Sequence, residues 1–253
     1  MNVAISLLES AIGTNPNLKR GSRIVNLMGG PITFGPGMIV SQSLTELIRS
    51  HMDIQKEKDN TKYLKNAIKY YQALADRAQK AGVVVDLFVA SVDQVGVLEM
   101  KPCFEQTGGF YVMTDSFANP VFKESFKKFF EVDDNGELKM GFLSRTTVTC
   151  SKEVKVSGAI GQVTSLKTKN AYVSDTEIGV GQTNSWYMGG LDKNKSVAYY
   201  FDIVNTANLP NHHKVHVQFV TCYQHVNGSK RMRVTTIQRL MSNPDDTREM
   251  AYG

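Results

Sequence analysis

The run Val83-Val84-Val85-Asp86-Leu87-Phe88-Val89 decides the fold. It is short and almost continuously apolar, which is the pattern of a strand covered on both faces, as in a parallel sheet. A helix leads into it. From Thr61 to Ala81, Leu64, Ala67, Ile68, Tyr71, Leu74, Ala75 and Ala78 recur at three- and four-residue spacing, and Lys62, Lys65, Lys69 and Gln72 take the other side. Gly82 supplies the stop. Ile24-Val25-Asn26-Leu27-Met28 and Phe110-Tyr111-Val112-Met113 are further apolar runs. Ala118 to Phe130 predicts another helix, with Val121, Phe122, Phe126 and Phe129/Phe130 on one stripe and Pro120 in its first turn. Strand alternating with helix predicts an open α/β sheet with right-handed crossovers. Asn26 interrupts the first of these runs, and a buried Asn needs partners for its amide.

Further along, the period changes. Asp133-Asp134-Asn135-Gly136 is a turn cluster that marks a boundary, so that a first domain spans 1–137. Over 138–241, the segments Thr147 to Cys150, Glu153 to Ser157, Ser196 to Val204, Val215 to Tyr223 and Met232 to Ile237 read as strands. Asn227-Gly228 signals a hairpin between the last two. Strands without intervening helices predict an antiparallel sandwich or barrel. Ser242-Asn243-Pro244-Asp245-Asp246 then reads as the start of a helix, opening a short region over 242–253. At the other end, Val3, Ala4, Leu7, Leu8 and Ala11 predict an amphipathic helix with no strand before it. Both ends suggest a portion of a longer protein. A sheet lacking its earlier strands keeps an uncovered edge, so the first half is expected to be less stable and prone to self-association.

Composition narrows the class. With 253 residues, 42% hydrophobic and 21% charged, the chain can bury a sizeable core, which argues against disorder. No run approaches the ~18 apolar residues of a membrane span, and the first residues lack a signal-peptide pattern. Cys103, Cys150 and Cys222 are odd in number and scattered, which argues against a disulfide framework or a structural zinc site within this chain. These features predict a soluble protein of a reducing compartment. Residues 1–137 carry 15 Lys+Arg against 16 Asp+Glu, whereas 138–253 carry 14 against 8. The basic excess of the second half is suited to phosphate groups of lipid or nucleic acid.

Candidate sites follow from residue type and spacing. Gly29-Gly30-Pro31-Ile32-Thr33-Phe34-Gly35-Pro36-Gly37 follows a strand, as a phosphate loop does, but its prolines remove N–H donors and no Lys follows Gly37. Gly29, Gly30, Pro31, Gly35, Pro36 and Gly37 are therefore read as structural turns. In His212-His213-Lys214-Val215-His216, a strand would send His213 and His216 to opposite faces, and a solvated junction is favoured over a metal site. Asp86, Asp93, Glu99 and Asp115 lie at or after strand ends, where α/β enzymes place catalytic groups, yet no nucleophile, base and orienting acid converge in the sequence. Asp115-Ser116 reads as a helix cap and Cys103 as a structural cysteine. No catalytic, cofactor or metal residue is assigned. Lys230, Arg231 and Arg233 are the candidates to face phosphate or lipid, with both arginines on one side of a strand.

Beyond single motifs, the chain resembles the Sec-twenty-three family, the GTPase-activating inner-coat subunit of coat protein complex II. The resemblance rests on an ordered series. Gly29-Gly30-Pro31 and Gly35-Pro36-Gly37 come first, then Asp93-Gln94-Val95-Gly96-Val97-Leu98-Glu99-Met100-Lys101, Thr107-Gly108-Gly109 and Asp115-Ser116-Phe117. Met140-Gly141-Phe142, Lys155-Val156-Ser157-Gly158-Ala159-Ile160-Gly161, Gln218-Phe219-Val220-Thr221 and Arg233-Val234-Thr235-Thr236-Ile237 complete it.

The resemblance implies α/β plus all-β: a truncated trunk of von Willebrand A type, with an open, mostly parallel sheet, followed by an antiparallel β-sandwich. It implies a four-cysteine zinc finger upstream of Met1, so that zinc belongs outside this chain, and helical and gelsolin-like domains downstream. The arginine that enters the GTPase is among the latter and matches none here, so this chain is expected to bind rather than to catalyse. The implied partners are the cargo-adaptor sister subunit, a Sar-type GTPase, outer-coat subunits and anionic membrane. The implied setting is cytoplasmic, peripheral on the endoplasmic reticulum membrane and coated vesicles, in ER-to-Golgi transport. The competing reading is a stand-alone basic β-domain for nucleic acid or anionic membrane, with Tyr199, Tyr200 and Tyr223 forming an aromatic row beside Arg231 and Arg233.

Overall fold

The structure, a computed structural model, describes residues 1–15, 21–45, 49–204 and 213–241. The expected helix start at 242–246 lies outside the described residues, as does His212. The chain divides into two compact units: one gathers 1–142 with 189–193 and 225–228, and the other holds the remainder.

The first unit is built on a parallel sheet in the order β1-β2-β3, with β1 over Ser22–Met28, β2 over Val83–Ala90 and β3 over Tyr111–Thr114. Every residue of β2 is buried, because helices cover both faces of this central strand. Val83, Val85, Leu87 and Val89 point one way, into a cluster with Tyr71, Leu74 and Ala78 of α3 (Leu64–Ala81) and Met100 and Phe104 of α4 (Val97–Thr107). Phe88 points the other way. It meets the rings of Phe122, Phe126 and Phe129 on α5 (Pro120–Phe129) edge-on at centroid distances of 5.9, 5.4 and 5.6 Å.

The helices end where local chemistry dictates. Gly82 takes the left-handed conformation at φ 71° and closes α3, with its N–H donating to Ala78 and Gln79 carbonyls. Asn119, rather than Asp115-Ser116, caps α5: its Oδ1 accepts from the Val121 N–H at 2.8 Å, and Pro120 fills the first helical position. Asp115 instead accepts from the Asn119 side chain.

Three details depart from the periodicity. In α1 (Asn2–Thr14) the buried face is Ile5 with Leu8 and Ile12, while Val3 and Leu7 are 72% and 65% exposed. Arg77 of α3 donates to Asn2, Ser6 and Glu9, which flank that buried face. Ile68 and Val121, expected on buried stripes, are exposed. Two helices carried no expectation: α4, and the short α2 (His51–Gln55), which a Ser50/Asp53 capping box starts. Asn26 finds its partner, since its Nδ2 donates to the Asp86 carbonyl at 3.0 Å.

Two antiparallel sheets make the sandwich. One runs β10-β9-β4-β7-β6, with β4 over Gly141–Cys150, β6 over Thr164–Ser165, β7 over Ser185–Leu191, β9 over Lys214–His225 and β10 over Lys230–Leu240. The other pairs β5 (Val154–Ile160) with β8 (Ala198–Ile203). Tyr199 of β8 packs on Trp186 of β7 and Phe219 of β9 at 5.3 and 5.2 Å, joining the sheets face to face. Trp186 is wholly buried and donates its indole N–H to the Val180 carbonyl at 2.9 Å. β7 escaped the period-two reading because Gly189 and Gly190 break its pattern. Gly189 sits at φ 65°, and a Cβ there would lie 1.9 Å from the Thr107 carbonyl oxygen. The β9–β10 hairpin closes at Lys230↔Gln224, so its loop is longer than the two residues that Asn227-Gly228 suggests.

Replacing Phe88 with Ala empties the centre of the aromatic cluster. Its expected cost is about 3–5 kcal/mol in denaturant unfolding, whereas Ile68→Ala on the exposed side of α3 costs under about 0.5 kcal/mol.

Candidate functional site

The Gly-Pro loop after β1 is a closed turn. Gly35 takes φ 89°, the Met38 N–H donates to Gly35 O, and the Ile39 N–H returns to Ile32 O at 2.8 Å. Tyr71 donates its hydroxyl to Gly37 O at 3.0 Å, and a Cβ on Gly37 would lie 2.6 Å from that hydroxyl oxygen. The N–H groups of Met38 and Ile39 are thus spent on carbonyls of the loop.

The strand-end carboxylates do not converge. Asp86, wholly buried in the middle of β2, is paired bidentately with Arg23 of β1; one of those bonds, Nε to Oδ2, is 2.8 Å. Its Oδ1 also accepts the Phe110 N–H at 2.8 Å. The guanidinium lies over the Phe129 and Phe110 rings at 4.8 and 5.3 Å. Glu99, equally buried in α4, is paired bidentately with Arg49. Asp93 and Asp115 stand on exposed loops. The thiol of Cys103 is pushed up to about 12 by burial and points to the Tyr71 carbonyl at 3.4 Å, so it is not a nucleophile at neutral pH. Asp86 and Glu99 are each neutralised by an arginine, and neither is brought to Asp93, Asp115 or Cys103 by a hydrogen bond among those described.

His213 and His216 go to separate partners: His213 lies 3.3 Å from the buried carboxylate of Glu153, and His216 lies 3.2 Å from Gln238. The turn after α5 and the end of β9 bring Asp133, Glu137 and His225 together, a grouping that sequence spacing did not reveal.

The basic candidates occupy the edge of the larger sandwich sheet. β10 pairs with β9 alone, and all but one of its residues are exposed. The sheet facing it has two strands only, so β10 extends beyond that cover among the described residues. Register places Arg231, Arg233 and Arg239 on one face, opposite Tyr223, Thr221 and Val215 of β9. Lys230 falls on the other face with Met232 and Val234, which are 68% and 53% exposed. The aromatic row does not form. Tyr223 stands beside Arg231, but Tyr199 is taken up between Trp186 and Phe219, and Tyr200 projects from β8. No helix among the described residues is long and apolar enough to cross a membrane.

Comparison with known proteins adds to this geometry. The Sec23/Sec24 trunk domain matches residues 1–131, and the Sec23/Sec24 beta-sandwich domain matches residues 141–242. Among solved structures, the human COPII-coat protein Sec24c is similar in fold at a TM-score of 0.60 and 18% sequence identity. That match covers 93% of this chain and 29% of the Sec24c chain, so the present chain spans under a third of it.

Arg23→Met leaves the Asp86 charge buried without a partner and is expected to cost about 3–5 kcal/mol. Arg23→Met combined with Asp86→Leu should recover much of that loss in the same unfolding measurement.

Proposed function

The chain belongs to the Sec23/Sec24 family of COPII coat proteins, and on that premise we propose that it is the trunk and β-sandwich portion of a Sec-twenty-three-type inner-coat subunit. In this reading it is a scaffold that binds the cargo-adaptor sister subunit and a Sar-type GTPase, contacts outer-coat subunits, and works on the cytoplasmic face of the endoplasmic reticulum during vesicle budding. It contributes no arginine to GTP hydrolysis and acts by binding. The ordered motifs from Gly29 to Ile237 support the GTPase-activating branch over the sister branch.

The observation that carries the membrane contact is the basic edge strand. Arg231, Arg233 and Arg239 share one exposed face of β10, in the half of the chain with 14 Lys+Arg against 8 Asp+Glu. Basic residues near an anionic leaflet contribute about 1 kcal/mol each. The surface suits lipid headgroups better than bases, since bases need stacking platforms and only Tyr223 stands beside the arginines.

Flotation with phosphatidylserine-containing vesicles tests this. Arg231→Glu, Arg233→Glu and Arg239→Glu combined should weaken binding by roughly 100-fold, and raised salt should weaken it in the wild type. Unchanged flotation would remove the membrane role. RNA binding with a steep salt dependence, and no vesicle binding, would favour a nucleic-acid domain. Pull-down with the sister subunit and with a Sar-type GTPase examines the scaffold role, and addition of this chain should leave the GTPase rate unchanged.

A further inference from the structure

We propose that Asp133, Glu137 and His225 form a binding site for a divalent transition-metal cation of the zinc class. Ligand-type atoms of the three residues all lie within 4.8 Å of one another, and all three belong to the first compact unit.

Two turns build the group. Val132 and Leu138 bridge across the turn after α5, the Asp133 N–H donates to Glu137 O at 2.8 Å, and Gly136 turns the chain at φ 76°. Asp133 Oδ1 accepts the N–H groups of Asn135 and Glu137 at 2.9 and 3.0 Å, which fixes the carboxylate and leaves Oδ2 for a ligand. The N–H of Glu137, the stronger influence, holds this carboxyl below its usual range, so the group is anionic at neutral pH. The end of β9 supplies the third member. The Gly228 N–H closes the following loop onto His225 O at 2.9 Å, and Asn227 Nδ2 reaches Glu137 Oε2 at 3.4 Å, an orienting contact of the kind that outer partners make at metal sites.

The observation that turns an acidic cluster into a site is the imidazole. His225 is 8% exposed, its Nδ1 is buried without a hydrogen-bond partner, and that atom sits 3.3 Å from Glu137 Oε2. A buried imidazole nitrogen beside two carboxylates and without a hydrogen-bond partner is an unsatisfied polar atom. A cation among them satisfies all three at once. The His225–Glu137 separation of 3.3 Å suits it, because two ligands on a tetrahedral ion with bonds of ~2.0–2.1 Å lie ~3.3 Å apart. Lys139, whose charge also lowers Asp133, is engaged by Glu131 at 3.0 Å. One imidazole nitrogen with two carboxylates favours zinc over calcium or magnesium, which take oxygen ligands, and water fills the fourth position.

The test is calorimetric titration of Zn²⁺ into the metal-stripped 253-residue chain, beside His225→Gln, Asp133→Asn and Glu137→Gln. The expected result is one equivalent bound by the wild type, with affinity lowered at least about tenfold in each variant, and no heat from Ca²⁺ or Mg²⁺. Co²⁺ loading should give a spectrum without thiolate charge transfer, which separates this group from Cys150 and Cys222. Circular dichroism checks that each variant folds. If His225→Gln does not fold, the two turn variants and the perturbation of the His225 ring signals on adding Zn²⁺ decide the question. Zinc binding of equal strength in all folded variants overturns the site. So does absence of zinc binding by the wild type.

Discussion

A buried aspartate clamps the first unit. Asp86 lies in the central strand of the parallel sheet, with no exposure to water, and each neighbouring strand answers it. β1 supplies the Arg23 guanidinium and the Asn26 amide, and the residue before β3 supplies the Phe110 N–H. A charge in such a place is costly unless it is paired and fully hydrogen-bonded, so it tolerates one register of the three strands and penalises the others. Register matters here because a one-residue slip would also turn Phe88 away from its aromatic cluster. The cluster in turn roofs the arginine, since Phe129 packs on both Phe88 and the guanidinium. Polar clamp and aromatic cluster thus lie on the same side of the sheet and depend on one another.

The sandwich follows a different logic. Its core is centred on Trp186, Tyr199 and Phe219, and its sheets are unequal in strand number. A five-stranded sheet facing a two-stranded one leaves an overhanging edge, and charge on that edge does two things. Arginines on an exposed strand discourage edge-to-edge pairing with other chains. They also set out cations at the period-two spacing of the strand.

Much of this was legible locally. Central strand β2, helix α3 with its Gly82 stop and the β9–β10 hairpin all announce themselves through period and turn chemistry. Helix α4 did not, because Pro102 lies inside it and reads as a breaker, although a proline there forfeits only one backbone bond. β7 was hidden by the glycines that its close approach to Thr107 requires. The rotation of α1 was hidden as well, because apolar residues occur on two sides of the helix and Arg77, which donates to Glu9, lies far along the chain. Long-range pairing also explains what was illegible at the sites. Arg49 and Glu99 are 50 residues apart, and Asn227 and Glu137 are 90 apart, so no local pattern links them. The basic strand was visible as residues, but its exposure on both faces is a property of sheet architecture.

The pairing distances of the two sheets also bear on synthesis. In the parallel sheet, 61 residues separate Ser22 of β1 from its partner Val83. At translation rates of roughly 5–20 residues per second, β1 emerges roughly 3–12 s before β2 exists. Throughout that interval the edge of β1 that pairs with β2 has no native neighbour. By contrast, Lys230 follows Gln224 almost at once, and a hairpin forms within about 1–10 μs of becoming available. The nascent chain is therefore most in need of chaperone shelter early, while its α/β portion is waiting for its central strand.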